Sequence, residues 1–332
     1  MKPTAFQIAA AVAVGVVAVL VLPGHLELFA LINATVFVSL SVLALSLGLI
    51  WGFGGILCFG QTAFFGVGAY TYAVAAINFG DTTWAVPLAL AVPALLAAAI
   101  GYLMFFGRLS DVYMGVITLT VTLILFAFFN STAGDQWTIG TAALGGFNGM
   151  PGTPPLNMPF DPDTTLEPGQ VFGVAVTCLV GCYAIAKLTL LSRFGRVTVA
   201  IRENELRAEL LGYDVRLHKL GIFTLGGMMA GLAGILFANC VFVSPTMFSL
   251  SYAGQVIIWV LVGGLGTLVG PVIGCMLVQA LTTYAGTLSS LDPNLVLGVL
   301  FMVAVLGVPK GLLPTAEAML RGLRRGWGRA RA

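Results

Sequence analysis

The sequence contains very little charge. Only 8% of its 332 residues are Asp, Glu, Lys or Arg, whereas 59% are hydrophobic; ordinary soluble proteins carry about 25% charged residues. The 42 glycines follow no three-residue period, which excludes a collagen-like chain, and the apolar content excludes a disordered one. These absences rule out a soluble globular domain and indicate an all-α polytopic membrane protein.

Groups able to carry out chemistry are also scarce. His25 and His218 fall at opposite membrane faces, and Cys178 and Cys182 have no acid or His nearby, so we expect no metal site. No lysine follows a glycine, which excludes a GxxxxGK[ST] nucleotide loop. No charged residue lies in the middle of a predicted span, which disfavours proton coupling. We therefore expect no catalytic residues and no cofactor bound by this chain.

A spanning helix needs about 20 mostly apolar residues, and the sequence offers ten such runs. The first is interpreted as an uncleaved helix, because no clear small-residue cleavage site precedes Pro23. All ten are assigned to one transmembrane domain, 1–332. The predicted spans are 5–23, 27–50, 60–79, 84–107, 112–130, 170–191, 217–240, 250–268, 271–289 and 294–309.

The 15 Lys and Arg residues test the assignment of the spans. When the ten spans alternate in direction, every one of these residues falls at or near the same side of the membrane. The opposite side carries only acids. By the positive-inside rule both termini are cytoplasmic, which makes 131–169 an outer loop, 192–216 a cytoplasmic loop and 310–332 a basic cytoplasmic tail.

Ten spans divide into two sets of five, and an odd number per half gives the halves opposite orientations. This is the geometry of an inverted repeat. A faint echo between 52–57 (GFGGIL) and 231–236 (GLAGIL) supports the repeat. Gly, Ala and Leu are so common here that chance is an equal explanation.

Seven glycines fall between Gly48 and Gly68. An undisturbed helix does not tolerate this density, because each Gly costs about 1 kcal/mol relative to Ala. One interpretation is a broken helix whose free backbone groups face a substrate path; the alternative is close helix packing followed by a cytoplasmic turn. The predicted path residues are Gly54, Gly55, Gln61, Thr62, Tyr70 and Thr118, although a hydroxyl such as that of Thr118 also suits hydrogen bonding to its own helix.

The pattern of the loop 192–216 predicts a single amphipathic helix. One apolar stripe runs from Val197 to Leu211, and a second contains Leu206 and Leu210, with charges between them. Two apolar faces suggest insertion into a groove of a partner; a surface helix with incidental leucines is the alternative. The predicted contact residues are Arg202, Glu203, Glu205, Leu206, Arg207, Ala208, Leu210 and Gly212.

The outer loop 131–169 contains six prolines and a Gly-rich stretch. A loop of this length is more often a lid or docking element than a tether. A soluble partner outside the membrane and a simple variable linker are both compatible with it.

Several segments together resemble the LivM-type permeases of branched-chain amino-acid ABC importers. The resemblance covers most of 40–315. It rests on GQ (60–61), AFFG (63–66), GAYT (68–71), RFGR (193–196), AIRENE (200–205), VGGLGTL (262–268) and PKGL (309–312).

This resemblance implies a transport subunit of the bacterial inner membrane, not an enzyme, whose outer loop 131–169 is periplasmic. By the same resemblance the subunit pairs with a homologous permease, two cytoplasmic ATPases holding ATP and Mg²⁺, and a periplasmic or lipid-anchored solute-binding protein. It also implies that 192–216 is the coupling loop, although only Ala208 and Gly212 match the general EAA-x₃-G pattern. Amino-acid members commonly carry His at the position of Gln61, whereas Gln there resembles urea and short-amide permeases. An ATP-independent channel or facilitator is the alternative of another class.

Overall fold

The computed structural model describes residues 2–134, 136–287, 293–307 and 311–315. Eight of the described helices are long and apolar enough to cross a membrane, which confirms a polytopic all-α protein; α10 and α12 are shorter. The helices are α1 (Lys2–His25), α2 (Leu28–Gly52), α3 (Gln61–Phe79), α4 (Thr82–Phe106), α5 (Asp111–Ser131), α6 (Pro168–Leu191), α7 (Arg193–Glu203), α8 (Glu205–Leu210), α9 (Val215–Ala238), α10 (Leu250–Gly263), α11 (Val269–Thr287) and α12 (Pro293–Gly307).

The core is formed by α2, α3, α4 and α9, which pack against one another. In α3, 72% of the spanning residues are buried, whereas in α1 only 6% are. Glycine permits the close contact of α3 with α9, because a Cβ at Gly68 would overlap the backbone of Gly231 and one at Gly234 would overlap the carbonyl of Phe65.

Several predicted boundaries were wrong at the far end of the chain. Helix α10 ends at Gly263, so the predicted span 250–268 was too long; Gly264 and Gly266 follow with φ of 111° and 83°, which favour glycine. Pro271 then lies in the first turn of α11 rather than between two helices. The end of the last predicted span and most of the tail 310–332 lie outside the described residues.

The two halves of the proposed sequence repeat differ in local structure. Residues 52–57 leave the helix at Gly52, whereas 231–236 lie inside the continuous helix α9. The inverted repeat therefore stays a prediction.

A long non-helical stretch, residues 132–167, joins α5 to α6; we name it the outer segment, following the predicted orientation. It contains two small antiparallel hairpins and one short 3₁₀ turn, Gly146–Asn148. Its residues Leu144, Met150 and Leu156 are buried in the main core, so the segment packs on the bundle. The strands are β1 (Thr138–Ile139), β2 (Ala142–Ala143), β3 (Asn157–Met158) and β4 (Asp161–Thr165).

Candidate translocation path and coupling surface

The predicted helix break is present. Helix α2 ends at Gly52, α3 begins at Gln61, and the intervening residues 53–60, named the inner segment, are not helical. Its end lies beside the middle of α5, because the Phe59 N–H donates to Thr118 Oγ1 at 3.2 Å. Thr118 is seven residues into α5, about 10 Å along that helix. The segment therefore returns to membrane depth and is more than a surface turn.

Gln61, the first residue of α3, is 1% exposed and is held by its amide nitrogen. Nε2 donates to Ser46 Oγ at 2.8 Å and to the Gly226 carbonyl at 3.1 Å. Ser46 gives its own proton to the Leu43 carbonyl, so both neighbours of the amide accept. This chemistry places the NH₂ group toward them and leaves Oε1 as the free end.

Five buried side-chain polar atoms have no hydrogen-bond partner among the described residues, and three of these lie in the first ten residues of α3. They are Gln61 Oε1, Thr62 Oγ1 and Tyr70 OH; the others are Thr153 Oγ1 and Trp259 Nε1. A buried polar group without a partner costs about 1–3 kcal/mol. Such a cluster suits a group that meets its partner only when a solute or water enters.

Thr62, Gly66 and Tyr70 are spaced by four residues, so they share one face of α3. That face meets two aromatic rings. The ring of Tyr70 lies 4.0 Å from that of Phe129, centroid to centroid, and Phe129 stacks on Phe248 at 5.2 Å. The three rings close the end of this face that lies farther from the inner segment.

The remaining predicted path residues have local roles. Gly55 has φ of 71°, and a Cβ there would lie 2.7 Å from Arg202 Cγ, so it permits the turn out of α2 and the approach of α7. Gly54 packs against the Ile50 carbonyl. Thr118 donates to the Gly115 carbonyl at 2.9 Å, which confirms the expected bonding to its own helix. None of these three lies on the Thr62–Tyr70 face of α3.

The loop 192–216 forms two helices rather than one. At Asn204 the backbone is extended, with φ −160° and ψ 100°, and its Oδ1 caps α8 by accepting from the Arg207 N–H at 2.8 Å. A cap residue ends the register of the preceding helix, so the prediction of a single helix over 197–211 was wrong. Ile201, Ala208 and Val215 form a small separate core.

No element that the structure describes covers the leucines of α8 and its C-cap. Leu206, Leu210 and Leu211 are 66%, 80% and 70% exposed. We name these three the leucine surface. Arg207 is exposed beside them, and Gly212 follows with φ of 86° and open space around it. Four residues of the predicted contact set therefore face away from the helix bundle: Leu206, Arg207, Leu210 and Gly212.

Arg202 and Glu205, which are also in the predicted contact set, form bonds within the chain. Arg202 donates from Nη1 to the Gly52 carbonyl and from Nη2 to Glu203. Glu205 pairs with Lys219 of α9 at 2.6 Å. The α7–α8 pair is thus connected directly to the end of α2, where the inner segment begins.

Sequence reasoning missed the partners of the buried amide and the aromatic closure. Ser46 was detectable as a hydroxyl in an otherwise apolar run, since such groups mark contacts in spanning helices. Phe129 and Phe248 carried no signal among 22 phenylalanines. The Gly226 contact uses a backbone carbonyl, which residue type does not reveal.

Comparison with known proteins gives a consistent result. The family described as "Branched-chain amino acid transport system / permease component" matches residues 29–306. The high-affinity branched-chain amino acid transport system permease protein LivM of Escherichia coli strain K12 is 28% identical over 308 residues, 87% of this chain and 71% of that protein. The LivM protein of Salmonella typhimurium strain LT2 is 29% identical over 315 residues, 87% of this chain and 71% of that protein.

More distant similarity extends to another named transport system. The ribose import permease protein RbsC of Bacillus subtilis strain 168 is 30% identical over 149 residues, 42% of this chain and 46% of that protein. No solved structure matches the chain significantly. Because the family match covers most of the sequence, the chain belongs to the permease-component family of branched-chain amino acid transport systems.

Proposed function

We propose that the chain is the permease subunit of an ATP-binding cassette importer for branched-chain or related amino acids, in the bacterial inner membrane with both termini cytoplasmic. A homologous permease completes the path. Two cytoplasmic ATPase subunits bind ATP and Mg²⁺, and a periplasmic or lipid-anchored binding protein delivers the solute. The chain itself performs no catalysis.

The observation that carries this proposal is the two-sided character of the α7–α8 pair. The leucine surface faces away from the bundle, while Arg202 bonds the pair to the Gly52 carbonyl. A partner that moves the leucine surface therefore also moves the start of the inner segment. Gln61, with its free Oε1, lies at the other end of that segment.

The free acceptor also bears on the solute. Oε1 of Gln61 requires an N–H or O–H donor, and the ammonium group of an amino acid provides one. Urea and short amides provide N–H donors as well, so they remain the alternative solutes. The solute retained by the cognate binding protein decides between them, and it is measured by mass spectrometry of the purified binding protein.

The coupling role is tested on the complex of this chain with its permease and ATPase partners. Burial of a leucine stabilises an interface by about 1.5–3 kcal/mol, so the double variant Leu206→Ser/Leu210→Ser should bind the ATPase at least tenfold more weakly. Leu250→Ser is the matched control, because Leu250 is 58% exposed at the predicted opposite side. Unchanged ATPase binding and uptake in the double variant would overturn the assignment of this surface.

Arg202→Gln separates association from coupling. It leaves the leucine surface intact but weakens the bond to Gly52, so we expect normal ATPase binding with ATP hydrolysis no longer matched by uptake. Tight coupling in this variant contradicts the proposed transmission through α7.

An ATP-independent channel or facilitator is the competing class, favoured by the uncharged path. Liposomes containing only the purified chain discriminate between the two. Solute uptake without ATP, partner subunits or binding protein would replace the importer proposal; its absence there, with ATP-dependent uptake by the full complex, supports it.

A further inference from the structure

A long apolar groove lies between α1 and the rest of the bundle. Helix α1 packs mainly on α6, and its remaining surface stands apart from α2 and α11. The space enclosed by these four helices is a cavity of about 1150 Å³. This exceeds the roughly 300–1,000 Å³ of ordinary small-molecule pockets.

The groove runs along most of the membrane thickness. Its wall on α1 extends from Phe6 to Leu22, about 24 Å at 1.5 Å per residue, compared with a hydrocarbon core of about 30 Å. Val14, Val176 and Met276 are typical of its lining. A groove of this length and composition matches extended acyl chains.

The polar side chains of the groove are concentrated at one end. Gln7, Lys187 and Thr267 line the end next to α7, with Tyr183 one turn before Lys187, whereas Leu22 and Phe172 line the other end. Among the described residues Lys187 makes no ion pair. A cation at the end of an apolar groove is complementary to an anionic headgroup. Anionic lipids are enriched in the cytoplasmic leaflet, the side on which Lys187 is predicted to lie.

We propose that this groove binds a phospholipid with an anionic headgroup, whose acyl chains lie between α1 and α11 and whose phosphate contacts Lys187. The lipid fills the space that α1 leaves and connects α1 to the bundle. The proposal uses the predicted orientation of the chain but not its solute or its ATPase partner.

Native mass spectrometry of the full chain tests the headgroup contact, with dioleoylphosphatidylglycerol and dioleoylphosphatidylcholine as probes. We expect about fivefold stronger retention of the phosphatidylglycerol, the effect of one cation near a membrane surface. Lys187→Gln should abolish this preference and Lys187→Arg should keep it. Arg193→Gln is the control, because Arg193 is exposed and does not line the groove.

A second pair of variants tests the location. Val14→Trp fills the groove and should reduce retention of both lipids, whereas Val16→Trp, on the opposite face of α1, should behave like the original chain. Equal lipid retention in all variants overturns the proposal. If the original chain is a dimer and Val14→Trp becomes a monomer with unchanged lipid retention, the proposal would also be overturned, because the occupant of the groove would then be a second copy of the chain. Neither readout depends on transport.

Discussion

The outer segment and the inner segment are both non-helical and both pack on the bundle, but the polar side chains beside them differ in whether they have hydrogen-bond partners. In the outer segment, the Asn157 side chain donates to Asp81 at 3.0 Å and accepts from the Thr82 N–H at 2.8 Å. Asn78 and Asn239 bond the same segment to α3 and α9, through Thr141 and Leu156 at 2.8 and 2.7 Å. Three asparagines thus fasten it to three helix ends.

At the end of the inner segment the opposite arrangement occurs. Gln61 Oε1 and Thr62 Oγ1 are buried without a partner, and Tyr70 OH follows on the same helix. The outer segment has one such atom, in Thr153. Hydrogen-bonded polar groups stabilise a fixed structure, whereas a buried polar group without a partner lowers the free energy of unfolding and needs another explanation. The outer segment is therefore bonded as part of the architecture, whereas the unsatisfied groups at the start of α3 support the proposed solute path.

The largest effect should come from breaking the outer attachment. Asn157→Ala removes the side-chain bond to Asp81 and the acceptor of the Thr82 N–H and hydroxyl donors, which should cost about 3 kcal/mol. Thermal unfolding of the purified chain measures this. Asn148→Ala is the control, because Asn148 is exposed. Equal melting temperatures for the two variants would show that Asn157 does not stabilise the fold.

Replacing the buried amide should impair transport more than stability. Gln61→Met keeps the length of the side chain but removes the free acceptor and the bonds to Ser46 and Gly226. We expect uptake by the assembled complex to fall at least tenfold, with a stability loss of about 1 kcal/mol. Gln279→Met, in α11, is the control. Normal uptake in Gln61→Met would show that Oε1 does not meet the solute.

A smaller effect of opposite sign on stability is expected at Thr62. Thr62→Val removes a buried hydroxyl that has no partner, so the chain should become about 1 kcal/mol more stable while uptake falls severalfold. Thr35→Val is the matched control, because Thr35 is equally buried but donates to the Leu31 carbonyl at 2.9 Å. If both variants lose stability equally, the Thr62 hydroxyl has a partner and the comparison between the segments fails.

The sequence predicted these features to different extents, for physical reasons. Apolar length is a property of composition along the chain, so the existence of the spans followed from it, and the local density of glycines indicated the broken helix near Gly52. The identity of Gln61 as a polar residue at membrane depth was also readable. Its orientation was not, because it depends on which neighbours accept hydrogen bonds.

The loop 192–216 shows the same limit. Its amphipathic character was visible, but the prediction required one continuous helix, and Asn204 ends it by capping α8. Asn occurs in helix interiors as well as at caps, so the residue type alone does not locate the break; in the capped arrangement Ile201 and Ala208 pack with Val215. The bond from Arg202 to the Gly52 carbonyl joins residues 150 positions apart, so the sequence could not show it.

The smallest expected effect concerns the charge at the outer attachment. The amide of Asn157 and the N–H of Thr83 donate to Asp81 and lower the pKa of its carboxyl below the usual value of 3.8. A lowered pKa in the folded chain stabilises it above the ordinary value, and this contribution is lost as the pH falls through the lowered pKa. Asp81→Asn should therefore flatten the acid end of the melting-versus-pH profile slightly, since the group is exposed to solvent. Glu27→Gln is the control, because Glu27 makes no side-chain cap at α2. An identical acid profile for Asp81→Asn and the original chain would mean that the attachment depends on the asparagine and not on the charge it contacts.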